Sequence, residues 1–497
     1  MKKIKNIAIA LMASTVLLSG CSEDYMETSP TDQVSETIVS GSLDNLYIAL
    51  NGIHRSLVRQ YLSSQSCGGE PSMNIYRDVL GDDLVHPSTG NSWFLSDLRW
   101  VSHRNPNATS TKYPFYIYYQ FILNANLILQ NVDKVQLTDQ KLHDGVKGEA
   151  LCFRAWSHFN LVQLYAKRYD PAGSNSQLGV PYRKEANTDG MARNTVEECY
   201  QFINEDLDEA IELLKNYTAK ATTHFSLKVA YGLKARVLLT MGNYPEAAKF
   251  ADLSIKTAEA DGNKLMNSTE LMSGFATILT DTDEAMWAAN TLDDQTIYFY
   301  SFYAYMSWNF NASAIRAVPR CINSVLYNKI SNTDIRKKWW DPTGTAAVPA
   351  TTYKKYKYQN RKFTAKTTSN AVGDYAYMRL AEMYLIKAEA LARSGQVEEA
   401  QNTFTKFAIT RDPSYVATST TKEQLAEEIM IHRRVELWGE GFRFTDLKRL
   451  NLPLDRTGSN HEAAIAIKLS EPAGSKEWQY MIPQDELNAN PLMTQNE

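Results

Sequence analysis

Tyr231-Gly232-Leu233-Lys234-Ala235-Arg236-Val237-Leu238-Leu239-Thr240-Met241-Gly242-Asn243-Tyr244-Pro245-Glu246-Ala247 decides the fold, because its spacing occurs twice. Tyr384, Lys387, Ala388, Leu391, Gly395 and Ala400 stand at the same offsets as Tyr231, Lys234, Ala235, Leu238, Gly242 and Ala247. An aromatic, a small residue four on, a large apolar three further, a turn glycine and a second-helix alanine resemble the tetratricopeptide pattern of paired antiparallel helices. Small residues let two helices approach closely, and glycine supplies a turn conformation that other residues resist. The spacing therefore predicts a mostly α-helical, tetratricopeptide-like helical-hairpin scaffold with little β-structure. Its pairs are expected near 226–258 and 377–410, with a third, diverged pair near 142–215.

Outward from these units the periodicity changes. Leu46, Leu50, Ile53, Leu57, Val58 and Tyr61 follow helical spacing, and helical signal returns at 116–132. Residues 63–112, with Gly68-Gly69, Gly81, Pro87, Gly90 and Pro106, read as one long irregular excursion, and 261–376 as a second, rich in aromatics. Solenoid repeats normally stack in tandem. Here a long insertion separates the two clear units, so the expected design is a rigid scaffold whose loops carry function.

Composition narrows the chemistry. Charged residues make up 22% and hydrophobic residues 44%, and the net charge of -4 offers no basic field for nucleic acid. Aromatics are abundant: the 28 Tyr and 9 Trp could serve core or half-wet contact surfaces. Besides Cys21, Cys67, Cys152, Cys199 and Cys321 allow three full pairings, which sequence does not choose among. No HExxH, G-x-S-x-G, P-loop or dinucleotide fingerprint occurs. Asp281-Thr282-Asp283-Glu284 could present oxygens to calcium but lacks the glycine and distal glutamate of a full loop. No cofactor and no resident metal are expected.

The N-terminus fixes the compartment. Lys2, Lys3 and Lys5 precede an apolar run from Ile7 to Leu18 that ends in Leu18-Ser19-Gly20-Cys21. This has the form of a secretory signal, and the run falls short of the roughly 20 residues a membrane span takes. Its end resembles a bacterial lipobox, with residues 1–20 removed and Cys21 lipidated. Polar residues 21–40 read as a flexible linker, and Ser22-Glu23-Asp24 resembles the surface-export signal of Bacteroidota lipoproteins.

With these pieces the chain resembles the SusD/RagB family of outer-membrane nutrient-binding lipoproteins. The motifs that carry the resemblance are the lipobox, Tyr377-Met378-Arg379-Leu380-Ala381-Glu382-Met383-Tyr384-Leu385 leading to Ala388-Glu389-Ala390, and Arg433-Arg434-Val435-Glu436-Leu437-Trp438-Gly439-Glu440-Gly441-Phe442-Arg443 running on to Arg449. The closing Ile482-Pro483-Gln484-Asp485-Glu486-Leu487 is the fourth. The resemblance implies that 41–497 form one α-helical domain that binds oligosaccharide without bond chemistry. It also implies a lipid-anchored position facing the cell exterior, as the lid of a SusC-like TonB-dependent transporter for nutrient uptake. A RagB-like peptide-binding role and a surface hydrolase are the alternatives.

Sugar sites need flat aromatic faces for C–H surfaces and amide, carboxylate or guanidinium groups for hydroxyls. The first excursion offers Arg77, Asp83, Asn91, Trp93 and Trp100, the second Tyr298, Tyr305 and Trp308. Trp93 with Asn91 and Trp308 with Tyr305 are the leading pairs, against core packing as the plainer role. Alternation over 298–303 allows a short strand. Tyr353, Tyr356 and Tyr358 with Lys354, Lys355, Lys357, Arg361 and Lys362 form a basic-aromatic patch, read as a solvated hairpin or an acidic-sugar contact. The 433–449 run reads as a helix end locked by ion pairs, with Glu436 partly buried against Arg443 or Arg379.

Overall fold

Gly242 and Gly395 end two helices with the same hydrogen bonds. In a computed structural model describing residues 41–292 and 299–497, both adopt left-handed backbone, φ 73° and 85°. The Gly242 amide donates to Leu239 O at 3.1 Å and the Asn243 amide to Leu238 O at 2.9 Å; Gly395 and Gln396 donate likewise to Ala392 O and Leu391 O. This double closure satisfies carbonyls a helix end otherwise leaves open. The repeated spacing thus becomes a repeated turn.

The helices of seven residues or more among the described residues are α1 Leu43–Ser56, α2 Gly69–Leu80, α3 Thr109–Val132, α4 Gln140–Tyr165, α5 Val196–Leu214, α6 Leu227–Met241, α7 Tyr244–Ala260, α8 Leu380–Arg393, α9 Val397–Arg411, α10 Lys422–Glu436 and α11 Arg443–Arg449. Pairs α4/α5, α6/α7 and α8/α9 pack within themselves, and α5 meets α6 as α7 meets α8. Ala235, Ala247, Ala388 and Ala400 are fully buried at these seams. The matched lysines also do matched work: Lys234 Nζ reaches Asp208 of α5 at 2.9 Å, and Lys387 Nζ reaches Asp252 of α7 at 2.8 Å. Each hairpin is thereby tied to the one before it.

The stack continues across the long insertion because the insertion closes at its base. Strands β2 Ala285–Ala289 and β6 Tyr375–Arg379 pair antiparallel, and β6 runs directly into α8. Within the insertion the helices are single turns, such as Tyr303–Met306 and Ser313–Ala317. Two-residue strands Leu84–Val85 (β1), Cys321–Ile322 (β3), Trp340–Asp341 (β4) and Gln359–Asn360 (β5) form a sheet in the order β1-β3-β5-β4, joining the first excursion to the second. Strands β7 Leu454–Asp455 and β8 Ser470–Glu471 pair near the C-terminus. One cluster of buried apolar side chains runs from Leu43 to Met493.

Several expectations are corrected. Residues 63–112 are not all irregular: α2 is a regular helix with every residue buried, including Glu70, Asn74, Arg77 and Asp78. Met73, Tyr76, Val79 and Leu80 follow helical spacing, but Gly68-Gly69, Pro71 and Gly81 around them read as breakers. The segment before Trp308 makes a helical turn at Tyr303–Met306 rather than a strand, and Tyr298 lies outside the described residues, as do the signal and Cys21. Lys362 belongs to no solvated hairpin, since its ammonium is buried against Glu440 at 2.6 Å. Glu284 is committed to Arg379 and Arg411, not to calcium. Cys67, Cys152, Cys199 and Cys321 are buried free thiols.

Glu436 is fully buried, and three guanidiniums surround it: Arg379 at 2.9 Å, Arg411 at 2.9 Å and Arg336 at 3.1 Å. Arg443 turns instead to Asp82 at 2.6 Å. Burial alone would raise the Glu436 carboxyl, but Arg411, Arg379 and Arg336 hold it well below the usual range. Removing one partner of such a set strands the others. Glu436→Gln is expected to destabilise the fold by about 3–5 kcal/mol, measured by urea unfolding.

Carboxyls of opposite shift shape the pH profile. Burial opposes ionisation of Asp446 and Asp82, yet Arg433 with Arg449, and Arg443 with Arg434, hold each at about 2 against 3.8 unfolded. Their stabilisation is complete above about pH 4 and is lost as pH falls toward 2. Asp78 is pushed up to about 8 and Asp97 to about 6, burial being the main cause. Their contribution is complete below 3.8 and is lost as pH rises through those values. The thermal midpoint should therefore peak near pH 4 and decline above it, and Asp78→Asn should flatten that decline between about pH 4 and 8.

Candidate functional site

The two excursions meet where Trp93 stands. Ser88 Oγ donates to Ala317 O at 3.0 Å, and Asn91 Nδ2 donates to Ser313 Oγ at 2.9 Å. A Cβ on Gly90 would lie 1.8 Å from Val318 Cγ2, so only glycine permits this approach. Ser92 and Phe94, on either side of Trp93, both adopt left-handed backbone, φ 66° and 61°. Such residues cost on the order of 1–3 kcal/mol each and persist only where surrounding structure fixes them. Here the fixing contact is aromatic. Tyr305, buried, receives Trp93 edge to face at 5.6 Å between ring centroids and Phe94 at 5.2 Å.

The Trp93 indole is left half-buried, and beside it the Asn91 carbonyl Oδ1 has no hydrogen-bond partner among the described residues. Three residues beyond Tyr305, Trp308 is also half-buried. Its indole N–H donates to Thr364 Oγ1 at 2.9 Å, and the Arg361 guanidinium lies 4.4 Å from its ring centroid. Arg361 Nε and Nη2 have no partner among the described residues, and burial lowers the guanidinium from its ordinary value. Each indole thus has an unpartnered, solvent-shielded polar group near it: Asn91 Oδ1 two residues from Trp93, and Arg361 Nε and Nη2 against Trp308.

Arg77, Asp83 and Trp100 stand apart from this face, inside the scaffold. Arg77 bridges Glu70 at 2.8 Å, Asn160 at 2.8 Å and the Tyr118 hydroxyl. Asp83 is paired with Arg434 at 2.5 Å and Arg443 at 3.5 Å. Trp100 is 2% exposed; its N–H donates to Leu80 O, and its ring meets Trp478 edge to face at 4.8 Å. Arg361 was not singled out for the site, although the basic-aromatic stretch around it was visible. Phe94 and Ser313 carried no sequence signal. Two cavities have other linings: one of about 420 Å3 includes Lys448 and Trp478, and one of about 360 Å3 includes Tyr116, Tyr119 and Arg183.

Residues 56–239 match a SusD-like family model described as starch-binding associating with outer membrane, and 257–497 match the model of the SusD family. The chain is similar to SusD-like protein P38 of Formosa agariphila, 22% identical over 92% of this chain and 94% of that one. Among solved structures it is similar to a SusD-like carbohydrate binding protein from Bacteroides vulgatus, 24% identical with a TM-score of 0.79, covering 91% of this chain and 97% of that one. A SusD superfamily protein from Bacteroides thetaiotaomicron, also 24% identical, gives 0.78 over 92% and 100%. At these identities the structural likeness shows a shared fold.

The two groups of residues should separate by stability. Arg77→Met, which strands buried Glu70, is expected to cost about 3–5 kcal/mol, whereas Trp93→Ala should cost about 1 kcal/mol or less, both read from denaturant midpoints.

Proposed function

Because the chain belongs to the SusD family, we propose that it captures oligosaccharide at the cell surface and passes it to a SusC-like TonB-dependent transporter, acting as that transporter's lid. The single observation that carries the ligand reading is Trp93. Two left-handed residues and a buried tyrosine hold a half-buried indole beside an unpartnered amide oxygen. A ring held at the cost of backbone strain is better explained by a ligand than by packing alone. An indole face suits the C–H face of a sugar, and Asn91 and Arg361 are the nearest polar side chains that a shift on binding would bring to its hydroxyls.

Trp308 against Arg361 is a second half-buried indole that a glycan could use. Capture by a few stacked rings is weak, about micromolar or -8 kcal/mol, and weak capture suits hand-over. The role requires no bond chemistry. The lipobox ending at Cys21 supports a lipid anchor, and no helix of the described residues is long and apolar enough to cross a membrane.

The test is retention of the soluble chain from Ser22 on a panel of immobilised plant and host glycans and on protein digests. One polysaccharide class should retain it, and Trp93→Ala or Trp308→Ala should weaken binding about tenfold with the thermal midpoint little changed. Retention by peptides alone would replace the glycan reading. New reducing ends released from the polymer would replace the binding-only reading.

A further inference from the structure

Away from the Trp93 face, three side chains converge on a point inside the scaffold. His54 comes from α1, Glu149 from α4, and His224 from the segment joining α5 to α6. His54 Nε2 lies 2.8 Å from Glu149 Oε2, and His224 Nδ1 lies 3.1 Å from the same oxygen. The three donor atoms all fall within 4.8 Å of one another. All three residues are buried, Glu149 completely. Among the described residues no lysine or arginine forms an ion pair with this carboxylate; its only ion-pair partners there are the two imidazoles.

We propose that His54, Glu149 and His224 form a binding site for a divalent transition-metal ion, zinc first among them. Zinc takes imidazole nitrogen at about 2.0–2.1 Å and carboxylate oxygen at about 2.0–2.2 Å in tetrahedral sites, so its donors stand about 3.3 Å apart. The two hydrogen-bond separations reach that value with shifts of a few tenths of an ångström. Two imidazoles and one carboxylate suit zinc, and the nitrogen donors argue against calcium or magnesium.

The surroundings already orient the carboxylate. The Tyr217 hydroxyl donates to Oε1 at 2.9 Å and the Phe225 amide to Oε2 at 3.0 Å. The His54 and His224 rings lie 4.4 Å apart, against Phe153, Phe225 and Tyr47.

One feature limits affinity. His54 Nδ1 has no partner among the described residues. A ligating imidazole normally donates its other N–H to an acceptor, and losing such a partner weakens metal binding about 10–100-fold. The site should therefore bind zinc less tightly than fully supported structural sites. A bound ion would tie α1, the first described helix after the 21–40 stretch, to α4 and to the entry of α6.

The test uses the full chain from Ser22 after chelator treatment, titrated with zinc chloride by calorimetry and followed by thermal unfolding. Expected are about one equivalent of zinc and a thermal midpoint that climbs with zinc concentration and does not respond to calcium. His54→Gln and His224→Gln should each weaken zinc affinity at least ~10-fold. Should either variant fail to fold, X-ray absorption of the zinc-loaded natural chain, which counts imidazole ligands, decides instead, with two expected. The proposal is overturned by an unmoved midpoint at saturating zinc. It is equally overturned by full affinity in both variants, which would place the ion elsewhere, or by an absorption spectrum without two imidazoles.

Discussion

A buried network of eight charges holds the three parts of this protein together. Arg336, Arg379, Arg411 and Lys362 face Asp334, Glu284, Glu436 and Glu440, four positive charges against four negative, all nearly or wholly removed from solvent. Glu284, Asp334, Arg336 and Lys362 come from the long insertion, Arg379 and Arg411 from the last repeat and the strand leading into it, and Glu436 and Glu440 from the C-terminal segment. Desolvating ions is expensive, and an incomplete set would favour unfolding. Completion therefore requires all three parts in place at once. A hydrophobic contact tolerates sliding; this network does not.

The scaffold was legible because its signals are local. Spacing of Tyr231, Ala235 and Gly242 encodes one hairpin without reference to the rest of the chain, and Gly395 encodes another. Helix α2 was not legible, and for a physical reason. Glu70, Asn74, Arg77 and Asp78 point into the protein, where Tyr118, Asn160, Tyr375 and the Gly441 amide meet them. The apolar residues Met73, Tyr76, Val79 and Leu80 do follow helical spacing, but Gly68-Gly69, Pro71 and Gly81 read as breakers, and the partners of the buried polar groups lie up to several hundred positions away. Glu436 repeats the lesson: its link to Arg379 could be guessed from motif proximity, but Arg336 could not.

The candidate site divides in the same way. Residue type alone places Trp93 and Trp100 on equal footing, and likewise Arg77 and Arg361. What separates them is whether distant residues have already engaged their polar atoms and faces. Arg77 is saturated by groups from α2, α3 and α4, whereas Arg361 leaves two nitrogens unpartnered. Trp100 is enclosed by Phe444 and Trp478, whereas Trp93 has Tyr305 at its edge and remains half-buried. The left-handed backbone at Ser92 and Phe94 has no compositional mark at all, since neither residue is one that favours it.

The closed base of the insertion also bears on the order in which the chain assembles. Hairpin α6/α7 must wait for α8 until residues 261–379 have been spanned, a contact of high sequence separation. Loop-closure entropy rises only with the logarithm of length, so a loop on the order of 100 residues costs little more at equilibrium than one of half that size. Its effect falls on rate, because distant contacts are rewarded only after the loop has closed. Pairing of β2 with β6 brings α8 to α7 in a single event, after which the insertion's own pairings, β3 with β5 and β4 with β5, form inside an already closed ring. The strand pair thus acts as the clasp that turns a slow search along a long chain into two shorter ones.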